Sequence, residues 1–278
     1  MLSTQPQLLR LSQGQLNILE RCPRQFQHTY LEKLNSPADP EHQEKQTLGS
    51  RFHLLMQQRE MGLPIDSLLQ ADSQLRNWMA GFADAAPEII APAKNQTFRE
   101  SEHYRTLQAH HHDYLITVIY DLLIADNLQA QILDWKTYPK PPNKRKLESN
   151  WQTRLYMYVL RETSEYLPEN ISMTYWFVQA DGKPQNIKFS YSDVQHEQTE
   201  KKLNKLLNQL TKYLEGYYQG EQFPQIAEGS KICADCKFNP RCGRSNAASE
   251  VISTAQSLLN AVDTSLVNLD NIQEVTLS

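Results

Sequence analysis

Along the first third of the chain the apolar residues recur at helical intervals. Ser12 followed by Gln15 has the form of a capping box, and Leu16, Leu19, Phe26 and Tyr30 then share a helical spacing that Pro23 interrupts. A Pro-containing stretch from Asn35 to Pro40 separates this segment from a second helix, whose apolar stripe is Leu48, Phe52, Leu55 and Met56. His53 lies beside that stripe. More helix is expected through Leu75 to Phe82, and no segment recurs at a fixed period, which excludes a solenoid.

Near Glu102 the pattern changes to that of a sheet. The run YLITVIYDLLIA from Tyr114 to Ala125 is rich in β-branched and aromatic residues. QILDWKT follows it after the turn-prone Asp126 and Asn127, so the two runs read as a β-hairpin. Asp121 stands mid-strand among apolar neighbours, where an unpaired carboxylate is costly to bury, so it requires a metal, a base or hydrogen bonds. In the second strand the two-residue period puts Asp134 and Lys136 on one face and Trp135 on the other. A loop with Pro139, Pro141 and Pro142 leads to a helix from Trp151 to Arg161, with Gln152 and Tyr156 on one side of it. Strands at Ile171 to Gln179 and Asn186 to Tyr191 flank a turn at Asp181 and Gly182. A long helix with Leu203, Leu206, Leu210 and Leu214 follows.

Composition narrows the class. A chain of 278 residues that is 40% hydrophobic and 22% charged can bury a sizeable core, which excludes collagen-like and wholly disordered proteins. One α/β domain over residues 1–246 is expected, then an acidic, partly apolar tail over 247–278 that is a helix or disordered. No apolar run approaches the roughly 20 residues of a membrane helix, and the N-terminus lacks the apolar core of a secretory signal. A cytoplasmic protein without membrane contact is expected. The net charge of -4 resides in the tail, where Glu250, Asp263, Asp270 and Glu274 stand without a base. The body is neutral. Within it Lys136, Lys140, Lys144, Arg145 and Lys146 share an acid-free stretch, which is either a patch for phosphates or a solvated loop.

The four cysteines are Cys22 and, far downstream, Cys233, Cys236 and Cys242 in a C-x2-C-x5-C array. In a reducing compartment four thiolates on a metal or an iron–sulfur cluster use every cysteine, whereas disulfides do not persist there. Zinc suits four cysteines equally well, and inert buried cysteines are the bland alternative. Elsewhere, two carboxylates on neighbouring strands and a helix-borne His53 are donors suited to a hard cation such as Mg2+ or Mn2+. A lysine beside such a cation favours phosphate chemistry, and Asp121, Asp134 and Lys136 are of the right types for phosphodiester hydrolysis. Taken alone, D-x-K on a strand is as often an ordinary ion pair.

Together these residues resemble the PD-(D/E)XK nuclease superfamily. Within it they resemble specifically the RecB-like branch, which contains the CRISPR-associated adaptation exonucleases and the AddB nuclease domain. From Leu11 to Arg244 the components occur in order: Cys22-Pro23-Arg24 with Phe26 and Tyr30, Gly49 to His53, Glu102, Asp121, Asp134-Trp135-Lys136, Gln152 to Tyr156, and the cysteine triplet.

The resemblance implies a restriction-endonuclease-like mixed sheet flanked by helices. It implies a metal on His53, Asp121 and Asp134, with Lys136 orienting or activating the attacking water and Glu102 as a further catalytic carboxylate. Gln152 and Tyr156 then face DNA, joined by the basic residues Lys140, Lys144, Arg145 and Lys146. For the cysteines it implies a [4Fe-4S] cluster on Cys22, Cys233, Cys236 and Cys242 that clasps the chain ends, with Zn2+ as the less favoured occupant. The expected activity is a DNA nuclease, an exonuclease acting on single strands or duplex ends, with a helicase or an integrase as partner.

Two departures stand out. The family has glycine three residues before its first metal aspartate, where this chain has Val118, and Glu100 competes with Glu102 as the functional glutamate. Val118 would narrow the approach of substrate backbone. With the neutral body it supports a second reading, a non-catalytic iron–sulfur protein that binds DNA, a helicase or an integrase.

Overall fold

The computed structural model describes residues 9–34, 40–91, 97–109, 113–139, 141–179, 183–234 and 236–244. Lys140, the turn residues Asp181 and Gly182, and the tail 247–278 lie outside the described residues. The chain divides into two compact units, 1–223 and 224–278.

The first unit carries a six-stranded mixed sheet in the order β1-β3-β4-β5-β6, with β2 paired to β3 off that path. The strands are β1 (Leu9–Leu11), β2 (Phe98–Gln108), β3 (Tyr114–Ala125), β4 (Ala130–Lys136), β5 (Ile171–Phe177) and β6 (Gln185–Ser190). The hairpin expected from the two apolar runs is present as β3 and β4, with Asp126 Oδ1 accepting the N–H groups of Leu128 and Gln129 in the turn. The sheet starts earlier than its pattern implied. β1 is three residues long, too short for any period to be read, and runs parallel to Tyr114–Ile116 of β3.

Helices cover both faces. On one side α1 (Gln13–Arg21), α8 (Trp151–Glu162) and α9 (Asp193–Tyr218) pack on Tyr120, Leu123, Ile132, Tyr175 and Phe177. On the other, α3 (Pro40–Glu60) and α5 (Ser73–Ala85) bring Phe52, Leu55, Trp78 and Phe82 against Leu122, Leu133, Trp135 and Trp176. Short helices α2 (Pro23–Phe26), α4 (Asp66–Ala71), α6 (Pro87–Ile90) and α7 (Lys144–Ser149) fill the connections. Ser12 caps α1 in the expected box with Gln15, and Pro23 restarts the chain as α2 after the extended Cys22. Among the described residues no helix is long and apolar enough to cross a membrane.

The stretch read as a basic loop is partly helical. Asn143 accepts the Arg145 N–H and caps α7, so Lys144, Arg145 and Lys146 form its first turn. In the second unit the described residues include the short helix α10 (Lys231–Ala234) and a turn over Pro240–Cys242. Cys233, Cys236 and Cys242 are partly exposed there, and Arg244 Nη1 donates to Cys233 Sγ at 3.5 Å.

Candidate active site

The site lies where β3 and β4 part. Their ladder runs from Ala125↔Ala130 to Leu122↔Leu133 and stops, while β4 continues beside β5 through Asp134, Trp135 and Lys136. In an intact ladder the N–H and C=O of Trp135 would face β3. Both need partners when that strand has turned away. Asp121 Oδ2 accepts the Trp135 N–H at 2.6 Å, and His53 Nε2, 3.1 Å from the Trp135 carbonyl, donates to it. The buried tryptophan backbone is thus the common support of two candidate ligands. Packing also changes phase here: Ile116, Val118 and Tyr120 join one core, Leu122 the other, and Leu123 the first again.

His53 reaches this point because of Gly49, one helical turn earlier on α3. A Cβ at Gly49 would lie 2.8 Å from Thr137 Oγ1, so only glycine allows the helix this close to the end of β4. Because Nε2 donates to a carbonyl, which can only accept, Nδ1 is the atom that gains or loses the proton: it carries the lone pair in the neutral ring and, when protonated, donates to Asp121. Nδ1 is 3.3 Å from Asp121 Oδ1.

The third member comes from β2. Pairing of β2 with β3 keeps one register from Phe98↔Ala125 to Gln108↔Leu115 but is broken at Glu102, whose φ of 50° is left-handed. Donor atoms of His53, Glu102 and Asp121 all lie within 4.8 Å of one another. Glu100, the rival glutamate, instead meets His103 at 2.6 Å. These neighbours shift one another's pKa values. Burial and then the Asp121 charge raise the Glu102 pKa. Burial lowers that of His53, but the hydrogen bond to Asp121 and the charges of Asp121 and Asp134 outweigh it and the net shift is upward.

Asp134 lines the same cleft but makes its direct contacts with Lys136 and Gln152. It is buried on the α8 face, with Oδ1 2.5 Å from Lys136 Nζ and Oδ2 accepting from Gln152 Nε2, while Gln152 Oε1 accepts from Lys136 Nζ at 3.1 Å. One amide therefore bridges the acid and the amine. Burial, reinforced by the Asp121 charge, pushes Asp134 up to about 6 against the pull of Lys136 and His53. The Lys136 pKa is raised, since Asp134 outweighs its desolvation, and the amine is charged.

An open cleft of about 1120 Å³ gathers these groups; His53, Glu102, Asp121, Asp134, Lys136 and Gln152 all line it. One nitrogen and several carboxylate oxygens match the donor preferences of Mg2+ and, with imidazole present, Mn2+. Other expected contacts are placed differently. Gln152 is engaged inside the site, and Tyr156 is 3% exposed with its hydroxyl accepting from Gln13 Nε2. Lys144, Arg145 and Lys146 are exposed on α7 and do not line the cleft. Val118 is 1% exposed in the core, so it is not a surface that narrows the cleft.

A family model described as the PD-(D/E)XK nuclease superfamily matches residues 10–243. Among solved structures the chain is similar to a candidate exonuclease from Eubacterium rectale, at 11% identity and a TM-score of 0.48, with 84% of this chain and 90% of that one covered. It is also similar to the protein SSO0001, at 14% identity and a TM-score of 0.38, covering 85% and 87%. No curated protein matches it.

Proposed function

Because the chain belongs to the PD-(D/E)XK nuclease superfamily, we propose that it is a Mg2+- or Mn2+-dependent deoxyribonuclease acting on single strands or duplex ends. The observation that carries this reading is the convergence in one cleft of the His53, Glu102 and Asp121 donors with the Asp134, Lys136 and Gln152 ring. Water and a phosphodiester yield a phosphomonoester and an alcohol.

His53, Glu102 and Asp121 would hold the cation, with Asp134 beside them. When bound, the cation supplies Lewis acidity and a more acidic water at neutral pH. The residues of the chain do the rest. Lys136, charged and fixed by Asp134 and Gln152, offers its ammonium to the negative charge that grows on the phosphate oxygens. Trp135 holds the ligands still through its backbone, so little reorganisation accompanies the reaction.

Cys22, Cys233, Cys236 and Cys242 belong to the same reading as ligands of a [4Fe-4S] cluster. Its support is the C-x2-C-x5-C spacing and the use of all four cysteines in the chain. A helicase or integrase partner in the cytoplasm completes the proposal.

Protein purified without oxygen tests both parts. Labelled single-stranded DNA should be degraded with Mg2+ or Mn2+ and remain intact with chelator. Iron and sulfide in a brown sample are expected; stoichiometric zinc in a colourless one would replace the cluster with a zinc site. Degradation that persists in chelator would end the metal-dependent reading.

A further inference from the structure

The cleft is unlike a surface built to grip a phosphate backbone. Among the described residues lining it, Lys136 is the one Lys or Arg, and it is committed to Asp134. Uncharged amides take the place of cations: Gln13, Gln57, Gln74 and Gln179 all line the same space. Backbone binding without arginine or lysine forgoes the counterion release that ordinarily drives it. Affinity for nucleic acid must then come from elsewhere.

A source lies beside the donor trio. Ile119 precedes Asp121 by two residues on β3, so a regular strand places both on one face. It is 45% exposed and lines the cleft. Its cross-strand partner in the β2–β3 ladder is Tyr104, 49% exposed, and residues paired this way have adjoining side chains. Leu54, next to His53 on α3, is 45% exposed and lines the cleft as well. Leu54 and Ile119 are thus uncovered in the cleft, as is Tyr138 farther along its lining, and Tyr104 stands uncovered beside Ile119.

We propose that Tyr104 and Ile119 form a platform on which an unpaired nucleobase of single-stranded DNA stacks, seating the strand at the His53, Glu102 and Asp121 donors. This rests on the nuclease reading and deepens it. A base in a duplex is already stacked and hides its face, whereas an unpaired base presents an aromatic surface to a tyrosine whatever its identity. The flanking glutamine amides suit the donor and acceptor edges that unpairing exposes. Recognition is then through bases, with little sequence preference and little dependence on salt.

Fluorescence anisotropy of a labelled oligothymidylate, with Ca2+ replacing Mg2+ to hold cleavage back, tests this on the full chain. Tyr104→Ala should weaken binding about tenfold, the usual order for loss of one stacked base, with Ile119→Ala weaker by several-fold and Tyr104→Phe restoring affinity. The slope of log affinity against log salt should be no steeper than about −1.5, the release due to two cations. Unchanged binding in Tyr104→Ala and Ile119→Ala, or a slope steeper than about −3, would overturn the platform. So would conversion of an oligomer to a monomer by Tyr104→Ala with DNA binding intact, since the patch would then join copies of the chain. The failure of the nuclease reading shows separately, as absence of cleavage by wild-type protein in Mg2+ and Mn2+, while the binding comparison still decides the platform.

Discussion

Glu102 faces Asp121 across the one position at which the β2–β3 ladder is broken, and it does so with a backbone φ of 50°. A side chain that is not glycine adopts this conformation at a cost of about 1–2 kcal/mol, and two carboxylates held close repel each other. Strain of this kind persists where the surrounding structure imposes it.

Glu102→Gly should therefore stabilise the metal-free protein by about 1 kcal/mol, or roughly 2–4 °C in Tm, because glycine accepts the conformation freely. The same change should weaken the stabilisation given by Mn2+. Thermal unfolding with and without Mn2+ separates the two effects, and a variant that melts lower in chelator would show that Glu102 is not strained.

The three upward pKa shifts give the metal-free protein a definite pH response. Glu102, Asp134 and His53 each hold a proton to higher pH when folded than when unfolded, Asp134 up to about 6. Between about pH 4, the unfolded carboxylate value, and neutrality the folded state thus binds more protons, and stability from these groups falls as pH rises. In chelator Tm should be higher at pH 5 than at pH 7.5. Mn2+ competes with the same protons, so its stabilising effect should grow over that interval. A chelated Tm that rises steadily from pH 5 to 7.5 would contradict the shifts.

Gly49→Ala should cost about 1–3 kcal/mol, because the new methyl group meets Thr137 Oγ1 and pushes α3 from the end of β4. His53 would lose the Trp135 carbonyl with it. Thr137→Ala in the same chain should recover most of the loss, a coupling that denaturant unfolding of both single variants and the double variant measures.

Gln152→Ala should lower kcat about 10- to 100-fold with Mn2+ affinity nearly intact, the usual scale for a residue that acts by orienting others. Gln152→Glu, which sets an acid against Asp134, should be worse. A variant with raised KM and unaltered kcat would show instead that Gln152 contacts substrate.

Much of this was legible beforehand for physical reasons. The β3–β4 hairpin, α8 and α9 follow from long, regular apolar patterns, and the shared face of Asp134 and Lys136 from strand geometry alone. Period could not reveal β1, which is only Leu9–Leu11 and exists through its pairing with β3. Nor could it show that Glu102 joins His53 and Asp121, because the choice over Glu100 depends on a local backbone distortion. The helix at Lys144–Ser149 was obscured by three prolines before it and a dense run of charge, although Asn143 was a usable cap signal. Gln152 and Tyr156 share a helix face as expected, yet that face is turned to the interior, and burial of neutral side chains cannot be read from spacing.

The central claim is that His53, Glu102 and Asp121 hold the cation on which phosphodiester cleavage depends. Calorimetric titration of Mn2+ paired with single-turnover cleavage of labelled single-stranded DNA, in wild type and Asp121→Asn, tests it most directly. Wild type should bind Mn2+ and cleave, while Asp121→Asn should lose measurable binding and at least a hundredfold in rate, the order expected when a principal electrostatic contribution is removed. Cleavage and Mn2+ binding that survive unchanged in Asp121→Asn would contradict it.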